Sequence, residues 1–526
     1  MPVLLPVSRR TLLIGSAAGA ALLARPAILR AAEVRFEDDP FTLGVASGCP
    51  RPDSVVLWTR LAPKAAEAGG SLFAAVPPAL EGPVEVAWEL AHDEGFQRLA
   101  ATGTALATDD WGHSVHVEVT GLEPGRWYFY RFIAGGQQSP AGRTRTAPAL
   151  GAVTDRLRLA FASCQQYEHG YFTAFRHMAA QDFDLIVHLG DYIYEMSWGK
   201  KYVRQHGTGI PTQLWEFRDR YALYKSDPDL MAAHAAAPWL AIWDDHEVAN
   251  NYADDHSPKT KQPGQFLDIR AAAYQAWYEH MPVPPSMAPQ AAPKGPSLRI
   301  YDRYRFGDLL DMTLLDDRQY RSPHPCGINK SGGANCEERF DAARSLLGRE
   351  QEAWLDGALQ DAQGRWTLVA QQTLVSELDR EPGPGRAYAL DGWDGYVASR
   401  DRLLSAIETH KPANPLIIGG DVHAFWVSDL KKDFQNPSSP TLATEVVCTS
   451  VSSQGPSAKT MQAGRQDNPH IRYGRGDRRG YASLELTPKQ ALFGLEAVDS
   501  VERPDGTVSR LASFAVEAGK AGAQPA

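Results

Sequence analysis

The chain has 526 residues, of which 43% are hydrophobic and 22% charged, a soluble globular composition too long for one ordinary domain. Its formal net charge of -10 at pH 7 argues against tight nonspecific binding to nucleic acid or to anionic lipid. A core of this size needs no disulfide scaffold, and the five cysteines, an odd number, do not read as one.

The N-terminus departs from that composition. Ser8, Arg9, Arg10 and Thr11 head an apolar run rich in Ala, Gly and Leu that continues to Leu23, a charged region followed by a short hydrophobic one. The run is too short and too interrupted to span a bilayer stably. Its arginine pair resembles a twin-arginine export signal covering residues 1–32, with cleavage near Ala31 or Ala32; an amphipathic first helix is the alternative. Cleavage removes four arginines and no acidic residue, so the mature net charge is -14. The expectation is a monomer handed to the twin-arginine translocase, working in the periplasm or outside the cell.

Residues 34–150 carry short alternating segments, Ser54 to Leu61, Val84 to Leu90 and His113 to Val119, as half-buried strands do. The turn Gly121 to Gly125 and the aromatic run Arg126 to Arg131 look like the matching part of fibronectin-type sandwiches. A small all-β domain is predicted, with no titratable cluster.

Past Gly151 the pattern changes to apolar runs separated by helical stretches. Strands are expected at Leu157 to Ala162, Leu185 to Leu189, Trp239 to Trp243, Leu309 to Leu315, Trp366 to Ala370 and Pro415 to Ile418. Helices are expected at residues 170–181, 214–226, 269–280, 348–362 and 395–409. That alternation predicts an α/β domain over 151–515, closing with two more strands and a disordered tail at 516–526. Cys326 and Cys336, in a Gly-rich loop, are read as a local disulfide, which leaves Cys164 free for another use.

The strands of this second domain end in polar groups of metal-binding type. They are Cys164-Gln165-Gln166; Asp191 and Tyr194; Asp244-Asp245-His246-Glu247 followed by Asn250 and Asn251; Asp317-Arg318; and Asp421 with His423. Singly each has a bland reading: Cys164 as a small buried hydrophobe, Asp191 as a turn cap, Asp317 and Arg318 as an ion pair, His423 as a core histidine. Gathered at one sheet edge, such groups are costly without a counter-ion, which a metal centre supplies.

The motifs ASCQ, HLGDYIYE, WDDHEVANN and GGDVHAFW, in this order, resemble the stations of calcineurin-like metallophosphatases in the form seen in PhoD-like secreted alkaline phosphatases and phosphodiesterases. The resemblance spans the chain and implies a four-layer metallophosphatase β-sandwich flanked by helices, preceded by a fibronectin- or Ig-like domain. It implies Fe3+ held by Cys164, Asp191, Tyr194 and His423. Asp191 is then shared with Ca2+ bound by Asp245, Asn250 or Asn251, and Asp421. It implies hydroxide attack on phosphorus, Arg318 neutralising the phosphate and His246 protonating the leaving alkoxide. Two departures stand out. Cys49 replaces the usual Asp, and Asp317 replaces the usual Thr, adding a negative charge beside Arg318. An inactive adhesion protein and a phospholipase D acting on phospholipid headgroups are the alternatives.

Replacing both Arg9 and Arg10 with Lys is expected to leave the unprocessed precursor in the cytoplasm, because the export receptor reads guanidinium groups and not charge alone. Cell fractionation checks it, and mature protein in normal amount outside the membrane refutes it.

Overall fold

The structure, a computed structural model, describes residues 34–62, 80, 82–260, 262–292, 294–327, 335–381 and 383–526. Residues 1–32, where the sequence resembles an export signal, lie outside them.

Two large mixed sheets pack face to face. One has ten strands, with Leu157–Ala162, Leu185–His188 and Trp239–Ala241 parallel at its centre. The other has seven, with Leu310–Leu314, Trp366–Ala370, Pro415–Gly419 and Thr441–Val447 parallel. These central strands are apolar runs because both faces are covered. Leu368, Ala370, Leu416 and Ile418 point into the core between the sheets, while Val369 and Ile417 pack outward with Leu355, Leu403 and Ile407 of helices Arg349–Gln360 and Val397–His410. On the opposite outer face lie Phe175 and Met178 of helix Thr173–Ala179 and Leu230 of helix Pro228–Ala236. The result is helix, sheet, sheet, helix.

Helix Pro228–Ala236 was not read from the sequence, although its signal is present: the Asp227 carboxylate accepts the Asp229 and Leu230 N–H groups ahead of Pro at the first helical position. Helix Pro263–His280 starts six residues before the expected 269, since proline is tolerated in a first turn whose N–H groups are unpaired anyway. The tail at 516–526, expected to be disordered, is ordered. Gln524–Pro525 pairs with Phe514 and Ala515, covering the exposed edge of strand Val508–Glu517. The Cys326–Cys336 disulfide is formed, and Cys49, Cys164 and Cys448 are free and buried. Among the described residues no helix is long and apolar enough to cross a membrane.

The N-terminal strands form a sandwich, but one of its sheets is not its own. Strands Val45–Gly48, Ser54–Arg60 and Ser114–Thr120 extend the ten-stranded sheet, with Gly48 beside Trp239 and Cys49 N–H donating to the Trp239 carbonyl at 3.1 Å. The other face, Leu99–Ala107, Val84–Ala91 and Trp127–Ala134, closes over a core of Val55, Leu57, Val86, Tyr130 and Phe132. The aromatic strand holds its turn as the pattern suggested: the Tyr128 hydroxyl accepts the Glu123 N–H at 3.0 Å. Helix Pro263–His280 ties the parts together. Trp58 Nε1 donates to the Glu279 carbonyl at 2.9 Å, and Arg218 grips the fully buried Glu279 carboxylate at 2.7 and 2.6 Å.

Glu279→Ala leaves the Arg218 guanidinium buried without its partner, with Arg60 close by, so we expect a loss of about 3–5 kcal/mol in urea-unfolding stability. Glu279→Gln, which keeps the shape and some hydrogen bonding, is expected to lose less.

Candidate metal centre

The parallel strands of both sheets end on the same side, so their C-terminal loops meet where the sheets face each other. Close approach at that point demands glycine at two positions. A Cβ on Gly190 would lie 2.4 Å from Asp244 Cβ, joining neighbouring strand ends, and one on Gly420 would lie 2.5 Å from Ser163 Oγ, joining the two sheets. Cys164, Asp191, Asn251, Asp421 and His423 all have left-handed φ values of 52–61°. Few non-glycine residues adopt that conformation, and a cluster of them marks a site whose side chains are aimed at some expense of backbone energy.

Cys164, Asp191, Asp245, Asp421 and His423, candidate ligands named from the sequence, converge. The ligand atoms of Cys164, Asp191 and His423 lie within 4.8 Å of one another, as do those of Asp191, Asp245 and His246, and those of Asp244, Asp245 and Asp421. Asp191 belongs to the first two groups and Asp245 to the last two, so Asp191 is the member that links the thiol-bearing group to the others. Tyr194 joins the first: its hydroxyl donates to Asp191 Oδ2 at 2.7 Å, lies 3.1 Å from His423 Nε2 and accepts from Ser453 Oγ at 2.9 Å. His423 Nδ1 is fixed by the Gln454 carbonyl at 2.7 Å, leaving Nε2 to face the centre. Of the amides, Asn251 N–H donates to Asp245 Oδ2 at 2.6 Å and Asn250 N–H to Glu195 Oε1 at 2.9 Å. These bonds engage both backbones, so the choice of amide ligand stays with their side chains.

The donors fit bound cations on two grounds. Burial drives the Cys164 thiol, the Tyr194 phenol and the Asp191 and Asp244 carboxyls well above their ordinary pKa ranges, and mutual repulsion adds to it. Asp244 Oδ2, Asp245 Oδ1 and Arg318 Nη2 are also buried without a hydrogen-bond partner. Positive charge placed among the thiol, phenol and carboxyl groups relieves both conditions there, whereas the Arg318 Nη2 donor calls for an anion.

Arg318 is completely buried beside this cluster. Its Nε pairs with Asp244, its Nη1 donates to Asp391 Oδ2 at 2.8 Å, and its Nη2 lies 3.9 Å from Asp245 and 3.8 Å from Asp421. Asp317 is buried beside it. The Asp317 carboxylate accepts from the Thr373 hydroxyl at 3.1 Å, and burial pushes its pKa up to about 7 against the opposing pull of Arg318.

His246 packs against Tyr194, with ring centroids 4.2 Å apart, and its Nδ1 lies 2.6 Å from Glu195 Oε2. Burial opposes charge on this ring, but Glu195, Asp245 and Asp191 outweigh it and hold its pKa well above the ordinary histidine value. Three supporting carboxylates escaped assignment from the sequence. Glu195 and Glu247 stand inside the quoted motifs, but their partners are set by folding. Glu247 accepts the N–H groups of Asp191, Tyr192 and Asp244 at 3.1, 2.5 and 2.9 Å and so holds two strand-end loops together. Asp391 sits in a loop with no strand-end signal at all.

Comparison with known proteins accords with this geometry. A family model described as PhoD-like phosphatase matches residues 159–493, and one described as PhoD-like phosphatase, N-terminal domain, matches residues 27–148. Alkaline phosphatase D of Bacillus subtilis (strain 168) is 42% identical over 496 residues, covering 93% of this chain and 82% of that protein. A solved structure described as that of PhoD is similar at TM-score 0.88 and 41% identity, over 93% of each chain. A purple acid phosphatase from yellow lupin (Lupinus luteus) seeds has a TM-score of 0.54 at 12% identity, over 90% of this chain and 74% of that one; it shares the metallophosphatase fold. The chain belongs to the PhoD-like phosphatase family.

Proposed function

We propose that the protein is an exported, metal-dependent phosphoric ester hydrolase, an alkaline phosphatase with phosphodiesterase activity. One observation carries the reading: three adjoining groups of metal-type donors are linked through Asp191 and Asp245, and Arg318 Nη2, which makes no hydrogen bond, faces Asp245 and Asp421 at 3.9 and 3.8 Å. The similarity to alkaline phosphatase D supports a phosphate ester as substrate.

Donor chemistry divides the centre. Thiol, phenol and imidazole from Cys164, Tyr194 and His423 suit a transition metal, and iron is the proposed occupant. Carboxylate and amide oxygens from Asp245, Asp421 and Asn250 or Asn251 suit a hard cation, and calcium is proposed there. When bound, such a pair supplies Lewis acidity and lowers the pKa of an attacking water. The protein's own groups do the rest. Arg318, fixed at two edges, offers Nη2 to a non-bridging phosphate oxygen and stabilises charge developing there. His246, oriented at Nδ1 by Glu195, presents its other nitrogen to the leaving oxygen and donates a proton. The N-terminal sandwich braces the sheet that carries Asp191 and Asp245. Export by the twin-arginine route rests on the Arg9–Arg10 pattern.

Asp191→Asn is expected to abolish hydrolysis of a chromogenic phosphodiester and to lower the content of both metals, since one charge is lost from two sites. With ferric iron on the Tyr194 phenolate the concentrated protein is expected to be violet or pink, and Tyr194→Phe colourless; calcium or zinc alone gives no such band. An active, colourless preparation free of iron by elemental analysis overturns the iron assignment and leaves the hydrolase reading standing. Activity that survives removal of every metal overturns both.

His246→Ala is expected to slow poor leaving groups on the order of a hundredfold while nitrophenolate esters suffer less. A proton donor works below its pKa, and Glu195 helps to raise that of His246. Glu195→Gln is therefore expected to move the alkaline limb of kcat to lower pH. Equal loss for all leaving groups contradicts the proton-donor role.

A further inference from the structure

Resting on the role proposed for Arg318, we infer that Asp391 is a positioning residue for the reaction: it aims the Arg318 guanidinium at the phosphate.

A planar guanidinium on a long side chain is located only when more than one of its edges is held. Asp244 holds the Nε edge of Arg318 and Asp391 Oδ2 holds Nη1 at 2.8 Å, which fixes the direction of the remaining nitrogen, Nη2. With Asp391 removed, one anchor is left. The arginine is then free to turn about its Nε toward Asp245 and Asp421, 3.9 and 3.8 Å away, and out of line with the phosphate.

Asp391 is itself clamped. Its Oδ1 accepts from Arg321 Nη2 and lies 2.6 Å from His324 Nε2, and the Arg321 side chain has no exposure to solvent. Arg321 in turn stands over the Tyr396 ring at 5.5 Å, whose hydroxyl donates to the Ser322 carbonyl at 2.7 Å. The loop carrying Asp391 is tied down by Asp394, which accepts the Leu378 N–H at 3.0 Å and pairs with Arg400 at 2.6 Å. A carboxylate held this firmly on one oxygen has a fixed direction for the other, which is what positioning requires.

The test is a double-mutant cycle read with a soluble chromogenic phosphodiester. Arg318→Ala, Asp391→Asn and the pair are compared in kcat, KM, metal content and urea-unfolding midpoint. Asp391→Asn is expected to lower kcat/KM about thirtyfold, as loss of a charge-assisted bond that orients a transition-state contact does, with metal content unchanged. The double variant is expected to fall within about twofold of Arg318→Ala alone, because Asp391 acts only through that side chain. A merely structural aspartate gives losses that multiply, and that outcome overturns the inference, as does Asp391→Asn within twofold of the unaltered enzyme. If Arg318→Ala itself keeps full kcat/KM, the role proposed for Arg318 falls and this inference with it. Should Asp391→Asn fail to fold, His324→Ala, which removes one of the two contacts on Asp391 Oδ1, is expected to lose about fivefold by the same reasoning. Its loss must also vanish in the Arg318→Ala background, and a multiplied loss there overturns the inference equally.

Discussion

Asp191, Asp244, Asp245 and Asp421 are brought together at the junction of two sheets, and Arg318 lies within salt-bridge reach of Asp244, Asp245 and Asp421. Coulomb repulsion among carboxylates at low effective dielectric, together with their lost hydration, opposes this arrangement strongly. Packing elsewhere must impose it, and bound cations must relieve it. Much of the surrounding structure is intelligible as the means of holding these groups in place.

Imposition comes from rigid parts. The strands feeding the centre are buried on both faces, so their ends cannot shift without opening the core. The glycines at 190 and 420 let the strand ends meet, and Glu247 binds three backbone N–H groups from two adjacent loops. Left-handed conformations at five candidate ligands store strain of a kind that persists only where the surroundings overdetermine it. A large hydrophobic core supplies that surplus.

The N-terminal sandwich belongs to the same argument. Because strand Val45–Gly48 is hydrogen-bonded beside Trp239–Ala241, the strand leading to Asp244 and Asp245 is an interior strand and not an edge. An edge strand there would leave the metal-bearing loop with one fewer neighbour to fix it. Buried Glu279, Arg218 and Trp58 lock the sandwich against helix Pro263–His280 from the side.

The sequence by itself determined where the strands of the second domain run and which chemistry stands at their ends. Both follow from local pattern: an apolar run bounded by Gly-Asp or Asp-Asp-His is visible within ten residues. The motifs in their order carried the resemblance to the family as well. Only the tertiary structure decided which donors share an ion-sized space and that Asp191 is common to two groups. It also decided that Asp317 turns to Thr373 and that Asp391, from a loop with no pattern, grips Arg318 across 73 residues of sequence. The continuity of the sandwich with the catalytic sheet and the ordering of the C-terminal tail are of the same kind. Strand pairing between distant segments and the partners of a buried charge depend on what folding places nearby, and no local window of sequence contains that neighbour.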